Sequence, residues 1–288
     1  RTNSTYLPGF AIPDNIVITS DIEKAVTKSR YILNVVPTQY TRGVVKAALP
    51  YLSPDAVFIN AAKGIERKSL LTVSSIISEV THHRVAVLSG PSFATEVAKR
   101  LPTAVTLACR DVQVSLLLQE IFNAAHFRVY THTDFLGVEL GGALKNVIAI
   151  ASGICDGLEL GFNARAALLT RGLAEMERLG VTMGAEEHTF SGLSGLGDLI
   201  LTCTGTLSRN YTVGKKLGQG MKLSDILSLS KSVAEGVTTA ESAYELSRKY
   251  GVEMPIIEQI YLVLYHDKSP RAATYDLMNR ALKTEFHA

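Results

Sequence analysis

Between Asp134 and Asp156, near the two ends of the stretch Asp134–Leu158, DFLGVELGGALKNVIAIASGICDGL, sit one ammonium, Lys145, one amide, Asn146, and one carboxylate, Glu139, in largely apolar surroundings. A helix that is hydrophobic all round is buried rather than laid on a surface. Burial makes an ammonium easier to deprotonate, which suits a group that gives and takes a proton. Helical spacing puts Gly141, Gly142, Ala149 and Ser152 on the side of Lys145, where small residues would leave space over it. The plainer alternative is a lysine paired with a core carboxylate, and spacing alone leaves both readings open. Asp134 suits an N-cap, and Gly153 or Gly157 a stop. A membrane span fits less well, because two charges, an amide and several glycines interrupt the stretch.

Three other clusters could hold a reactant. Ala62-Lys63-Gly64 follows an apolar run, so Lys63 would project where an anion or cofactor sits; a solvated turn lysine is the alternative. Gly90-Pro91-Ser92-Phe93-Ala94 offers an approachable backbone, a fixed turn and a serine able to cap the next helix, a natural place for phosphate or for an ordinary turn. In Ser191–Asn210, SGLSGLGDLILTCTGTLSRN, Asp198 and Thr202 share a face if helical, though Asp198 could be only a cap. Ser208-Arg209-Asn210 then combines a hydroxyl, a planar cation and an amide, a set that grips anions when it is not an exposed loop. The histidines offer no metal site by spacing: His82 and His83 adjoin, and His126 and His132 have no acidic partner at ligand distance along the chain. No G-x-S-x-G elbow occurs, so serine hydrolysis has no support.

These groups need elements to position them. Residues 1–130 alternate strand candidates (Ile16–Thr19, Tyr31–Val36, Ala56–Ala61, Arg84–Leu88, Ala104–Ala108, Phe127–Tyr130) with amphipathic helix candidates, which predicts a parallel, helix-covered sheet. Ligands of such sheets bind at the carboxyl ends of strands, so Val36-Pro37-Thr38, Ala62-Lys63-Gly64 and Ser89–Ser92 should line one rim. From Asp134 onward only helical periodicity remains. The division is 1–132, an α/β domain, and 133–288, an all-α domain, with the Lys145 helix as the joint.

The chain has 288 residues, 47% of them hydrophobic, with 29 basic against 27 acidic side chains and no block of like charge. Nucleic acid and anionic membrane surfaces are therefore not expected partners. Cys109, Cys155 and Cys203 are scattered in apolar surroundings, as suits reduced thiols in the cytoplasm.

Taken together, VVP at 35–37, NAAKGI at 60–65, SGPSFATEVA at 89–98, GGALKNVIAIASGICDGL at 141–158, NARAALLTRGLAEM at 163–176, SGLGDLILTC at 194–203, SRN at 208–210 and VAEGV at 233–237 closely resemble bacterial-type NAD(P)-dependent glycerol-3-phosphate dehydrogenase. The resemblance implies that the first domain is Rossmann-like and binds a dinucleotide, and that the second is a substrate and catalytic domain like that of 6-phosphogluconate dehydrogenase. It implies NADH or NADPH as cofactor, no metal, no membrane insertion, and a homodimer. It implies conversion of dihydroxyacetone phosphate to sn-glycerol 3-phosphate for phospholipid synthesis. Lys145 would be the catalytic proton donor and acceptor, also touching substrate. Lys63 would contact cofactor and substrate, Gly90 and Ser92 substrate, and Ala94 the cofactor. Asp198, Ser208, Arg209 and Asn210 would hold substrate, with Arg209 also reaching the dinucleotide. Val233 and Glu235 would complete the cofactor pocket, and Thr202 and Asn146 would be supporting residues of the site.

One departure stands out. Residues 1–20 contain no G-x-G-x-x-G loop, so the first strand–glycine loop–helix unit of a Rossmann domain is absent from this sequence. The expectation is that such a unit precedes Arg1 in the natural chain and carries the choice between NAD and NADP. Burial and Lys63 should lower the pKa of Lys145, opposed by Asp198 and by Glu139 if it is near. The competing readings are a related hydroxyacid reductase and a non-catalytic glycerol-3-phosphate-binding relative.

Overall fold

The computed structural model describes residues 1–229, 234–282 and 284–285. Strands β1 (Thr2–Asn3) and β2 (Leu7–Ala11) form a small antiparallel hairpin, a feature the sequence reading passed over as loop. The expected strand Ile16–Thr19 does not form, and Ile16, Val17 and Ile18 are exposed. A β-branched run becomes a strand only beside a partner edge, and none lies against it among the described residues.

There follow α1 (Ile22–Val26), β3 (Tyr31–Asn34), α2 (Thr38–Ala48), β4 (Val57–Asn60), α3 (Val73–Val80), β5 (Arg84–Ser89), α4 (Ala94–Ala98), β6 (Thr103–Cys109), α5 (Val112–Phe122) and β7 (Phe127–His132). The five strands β3 to β7 pair in sequence order into a Rossmann-like sheet. Every residue of β4 is buried, as its run Val-Phe-Ile suits a strand covered on both faces. Helix α2 turns Thr38, Thr41, Val45 and Ala48 inward, one stripe at helical spacing.

The sheet is not wholly parallel. Strands β3, β4 and β5 run together, but β6 is antiparallel to β5, and β7 follows β6. The cause is the short connection. The connection, residues 90–102, holds only the five-residue α4, about 7.5 Å long against about 20 Å for β5, so it lacks the full-length helix that usually carries a parallel crossover. The carboxyl ends that matter, those of β3, β4 and β5, still share one rim.

Helix α6 (Phe135–Gly157) opens an all-helical half completed by α7 (Gly161–Thr182), α8 (Asp198–Thr204), α9 (Arg209–Gly218), α10 (Leu223–Ser228), α11 (Glu235–Tyr250), α12 (Pro255–Tyr265) and α13 (Pro270–Met278). Asp134 caps α6 as expected, accepting from Gly137 N at 2.9 Å. Its second oxygen accepts from Glu186 N at 2.9 Å and Thr189 Oγ1 at 2.7 Å, which anchors the loop after α7. Helix α6 packs on α7, α8, α9 and α11 and also touches β5 and β6; Val138 shares a small cluster with Val87 and Ala108 of the sheet. The helix is long and apolar enough to span a membrane, but its apolar window lies wholly inside the protein.

Of the two candidate stops, Gly157 ends the helix and Gly153 does not. A Cβ at Gly153 would stand 2.0 Å from Tyr211 O, and one at Gly214 would stand 1.9 Å from Ile150 O, so these glycines let α6 and α9 touch backbone to backbone. Nor do the small residues near Lys145 leave open space. Gly141 faces the Ser194 backbone, Gly142 faces Ser89 Oγ and the Lys63 stem, Ser152 Oγ donates to Cys203 O at 2.9 Å, and Ala149 is fully buried.

Candidate active site

The Lys145 ammonium is buried in α6 and donates to Asp198 Oδ1 at 2.5 Å and to Thr202 Oγ1 at 2.7 Å. Asp198 and Thr202 lie one turn apart on α8, so they do share a face. Asp198 is the first residue of that helix, after a π-helical turn Leu193–Gly197, and does more than start it. From the other half of the molecule, Lys63 Nζ reaches the second oxygen, Asp198 Oδ2, at 2.6 Å, and also donates to Gly90 O at 3.0 Å. Two ammoniums from different halves thus share one buried carboxylate. The plainer reading of Lys145, pairing with a core carboxylate, is correct as far as it goes. The charge count shows why it is incomplete: two positive groups and one negative leave an excess of one.

Electrostatics follow from this arrangement. Burial is the main cause that brings the Lys145 pKa down, from 10.5 to about 8; Lys63 adds to it, and Asp198 opposes it. Glu139 takes no part, because it faces Ser74 and Asn60 instead. Burial alone would raise Asp198, but Lys63 and Lys145 together hold it below the ordinary carboxylate value. The ion trio therefore stays charged on the aspartate side, while Lys145 sits near its titration point at neutral to mildly alkaline pH.

The strand ends meet as expected. Lys63 touches Gly90, and Gly64 lies against Thr38, so the ends of β3, β4 and β5 form one rim. Gly90 has φ +140°, a conformation other residues avoid, and a Cβ there would press on Val105 Cα at 3.0 Å. Ser92 does not cap the next helix. Phe93 occupies that position without a side-chain cap, and Ser92 Oγ turns back to Gly90 O at 3.0 Å, stiffening the turn. Ala94 is exposed at the start of α4. With one short helical turn behind it, this loop offers its backbone rather than a helix dipole.

The remaining residues fall into two groups. Asn146 Nδ2 donates to Lys63 O at 3.1 Å, Asn210 Nδ2 donates to Asn146 Oδ1 at 2.9 Å, and Gly236 N donates to Asn210 Oδ1 at 3.0 Å. This amide chain ties the Lys63 loop, α6, α9 and α11 together, and spacing did not foresee it. Ser208 is the N-cap of α9, accepting from Tyr211 N at 3.2 Å. Arg209 is exposed beside it, close enough to Glu235 to favour that residue's charged form. Glu235 accepts from Thr38 N at 2.8 Å, capping α2 across the rim; its burial pushes its pKa up. Val233, expected in the same pocket, lies outside the described residues. The sequence reading missed Thr38 as a contact of Glu235. Its position straight after a strand end was the available signal.

Residues 1–115 match the family described as NAD-dependent glycerol-3-phosphate dehydrogenase N-terminus, and residues 134–275 the corresponding C-terminus. The chain belongs to the NAD-dependent glycerol-3-phosphate dehydrogenase family. It is 55% identical to the glycerol-3-phosphate dehydrogenase [NAD(P)+] of Geobacter sulfurreducens over 99% of this chain and 86% of that protein. The crystal structure of glycerol-3-phosphate dehydrogenase from Coxiella burnetii is similar with a TM-score of 0.92 and 39% identity, over 96% of this chain and 85% of that one. The Saccharomyces cerevisiae enzyme is similar with a TM-score of 0.82 and 28% identity, over 96% and 83%. All the fragments carrying the resemblance except Val233 of VAEGV therefore fall in described, family-matching sequence or structure.

Proposed function

We propose that the chain is an NAD(P)-dependent glycerol-3-phosphate dehydrogenase that reduces dihydroxyacetone phosphate to sn-glycerol 3-phosphate, supplying glycerophospholipid synthesis. The observation that carries this reading is the excess positive charge where Lys63 and Lys145 converge on Asp198. Reduction of a ketone turns its oxygen into an alkoxide, and a site with surplus, fixed positive charge stabilises that developing negative charge. Lys145 then supplies the proton, and in the reverse direction its lowered pKa lets it accept one. Asp198 and Thr202 hold the ammonium in place, while Lys63 keeps its own contacts to Asp198 and to Gly90.

A dinucleotide fits the rim. The loops after β3, β4 and β5 meet there, and Ser89 Oγ, buried at the end of β5, has no hydrogen-bond partner among the described residues. When bound, a nicotinamide supplies the hydride. Lys63, Ala94, Arg209, Glu235 and Val233 would hold it, and no metal is needed for the step. Gly90, Ser92, Asp198, Ser208, Arg209 and Asn210 would orient the substrate, the phosphate lying remote from the reacting carbon so that its binding energy positions the ketone. Because Ser208 and Asn210 already spend hydrogen bonds within the fold, Arg209 is the group left to grip the phosphate. The same proposal divides the chain at 132/133 into a cofactor domain and a catalytic domain, and sets it in the cytoplasm as a homodimer. The three buried free cysteines suit that compartment.

The test is oxidation of NADH and of NADPH driven by dihydroxyacetone phosphate, run beside a panel of 2-oxo acids. Turnover with the 2-oxo acids alone would support the hydroxyacid reductase, and binding of glycerol 3-phosphate without turnover the non-catalytic relative. Arg209→Ala should raise KM for dihydroxyacetone phosphate by about tenfold or more, the weight of a charge-assisted contact, and leave unphosphorylated dihydroxyacetone little changed. Equal losses for both would move Arg209 away from the phosphate.

A further inference from the structure

Folding gathers a second cluster of chemically capable side chains, about 16 Å along α6 from Lys145 at 1.5 Å per residue. His132 ends β7, whereas Glu186 and His188 lie on the segment after α7. One ligand atom from each stands within 4.8 Å of the others. Four ligands about 2.0–2.1 Å from a tetrahedral zinc ion are about 3.3 Å from one another. Glu186 Oε2 and His188 Nε2 already meet that spacing at 3.2 Å. The trio borders a cavity of about 290 Å³ also lined by Cys109, Ser115 and Thr131. Ser115 is buried, and its hydroxyl has no hydrogen-bond partner among the described residues.

We propose that His132, Glu186 and His188 form a binding site for a zinc-class divalent ion that clamps the sheet half to the helical half. Two imidazoles and one carboxylate select zinc, nickel or copper over magnesium or calcium, with water completing the coordination. The clamp follows from position. Asp134, two residues after His132, is gripped by Glu186 N and Thr189 Oγ1, so the ion would reinforce a joint that hydrogen bonds already make. His132 Nδ1 accepts from Asp134 N at 2.9 Å, and coordination by this ring competes with that bond, which moderates the affinity. The hydride and proton steps use none of these residues.

The experiment is calorimetric titration of chelator-treated, desalted protein with zinc chloride and, separately, magnesium chloride. One zinc per chain should bind with Kd under about 100 µM, with no magnesium binding. His188→Ala, at an exposed position that folding does not depend on, and His132→Gln should each weaken zinc at least about tenfold. Saturating zinc should raise the thermal midpoint of the parent protein and not of these variants. Cys109→Ser should leave zinc affinity unchanged, excluding the thiol in the cavity wall as the ligand. Absence of binding at about 1 mM zinc, or equal affinity in His188→Ala, would overturn the site. A loss in His188→Ala with none in His132→Gln would confine the ion to one loop and overturn the clamp.

Discussion

Glu139 and Lys145 lie on the same buried helix, and their surroundings differ in kind. Glu139 accepts from Ser74 N at 2.8 Å, Ser74 Oγ at 2.6 Å and Asn60 Nδ2 at 3.0 Å, all neutral donors. Burial pushes its pKa up while those donors pull it back, and the result is a carboxyl group that bolts α6 to the end of β4 and the start of α3. Lys145 instead shares one carboxylate with a second ammonium. A polar group satisfied by fixed neutral partners has no capacity left, whereas a site with surplus charge gains from any negative charge that develops beside it. Six residues apart on one helix, Glu139 holds elements together, and Lys145 at the helix middle carries the surplus charge.

The sharpest way to break this contrast is Lys145→Met, which should cut kcat by about 10²–10⁴ while binding of a phosphorylated substrate analogue survives. Residual turnover above about a hundredth of normal would place the proton transfer elsewhere. Next in size, Asp198→Asn leaves two ammoniums facing each other without a counter-charge. Urea unfolding should show a loss of about 3–5 kcal/mol, the cost of breaking a buried pair. A loss below about 1 kcal/mol would mean that water screens the trio.

The pH profile gives a smaller, signed effect. Because the folded Lys145 pKa is lowered from 10.5 to about 8, the protonated form needed for reduction is lost as pH rises through about 8, and the neutral form needed for oxidation is gained. Reduction and oxidation rates should therefore move in opposite directions there, by up to about tenfold per pH unit on the limiting limbs. Parallel profiles would show that another group titrates. The smallest effect is predicted at Glu139. Glu139→Gln should cost about 1–2 kcal/mol of stability through its weakened bonds to Ser74 and leave kcat within about twofold. A large fall in kcat with stability intact would erase the distinction between the two positions.

Much of this was legible in the residues. The all-round apolar run predicted a buried α6, its cap at Asp134 and its place between the halves. The strand ends predicted the rim where Lys63 and Gly90 meet. What misled the reading was context. Gly153 looks like a stop because nothing in its neighbourhood shows that α9 needs that space. Ile16–Thr19 looks like a strand because β-branched residues favour one, but pairing is made by another segment. The reversal of β6 is a matter of which way a strand enters the sheet, and an apolar run reads the same in either direction.

By itself, then, the sequence determined which residues are candidates for chemistry: Lys145, Lys63 and Asp198 are charges in apolar or glycine-bounded settings. Tertiary structure decided their arithmetic. Lys63, Lys145 and Asp198 lie on three segments far apart along the chain, so their shared contact, the surplus charge and the lowered Lys145 pKa exist only once the halves close. The same holds for Glu139, whose partners come from β4 and α3, and for His132 with Glu186 and His188. Electrostatic interaction depends on distance in space and on burial, and neither is a property of position along the chain.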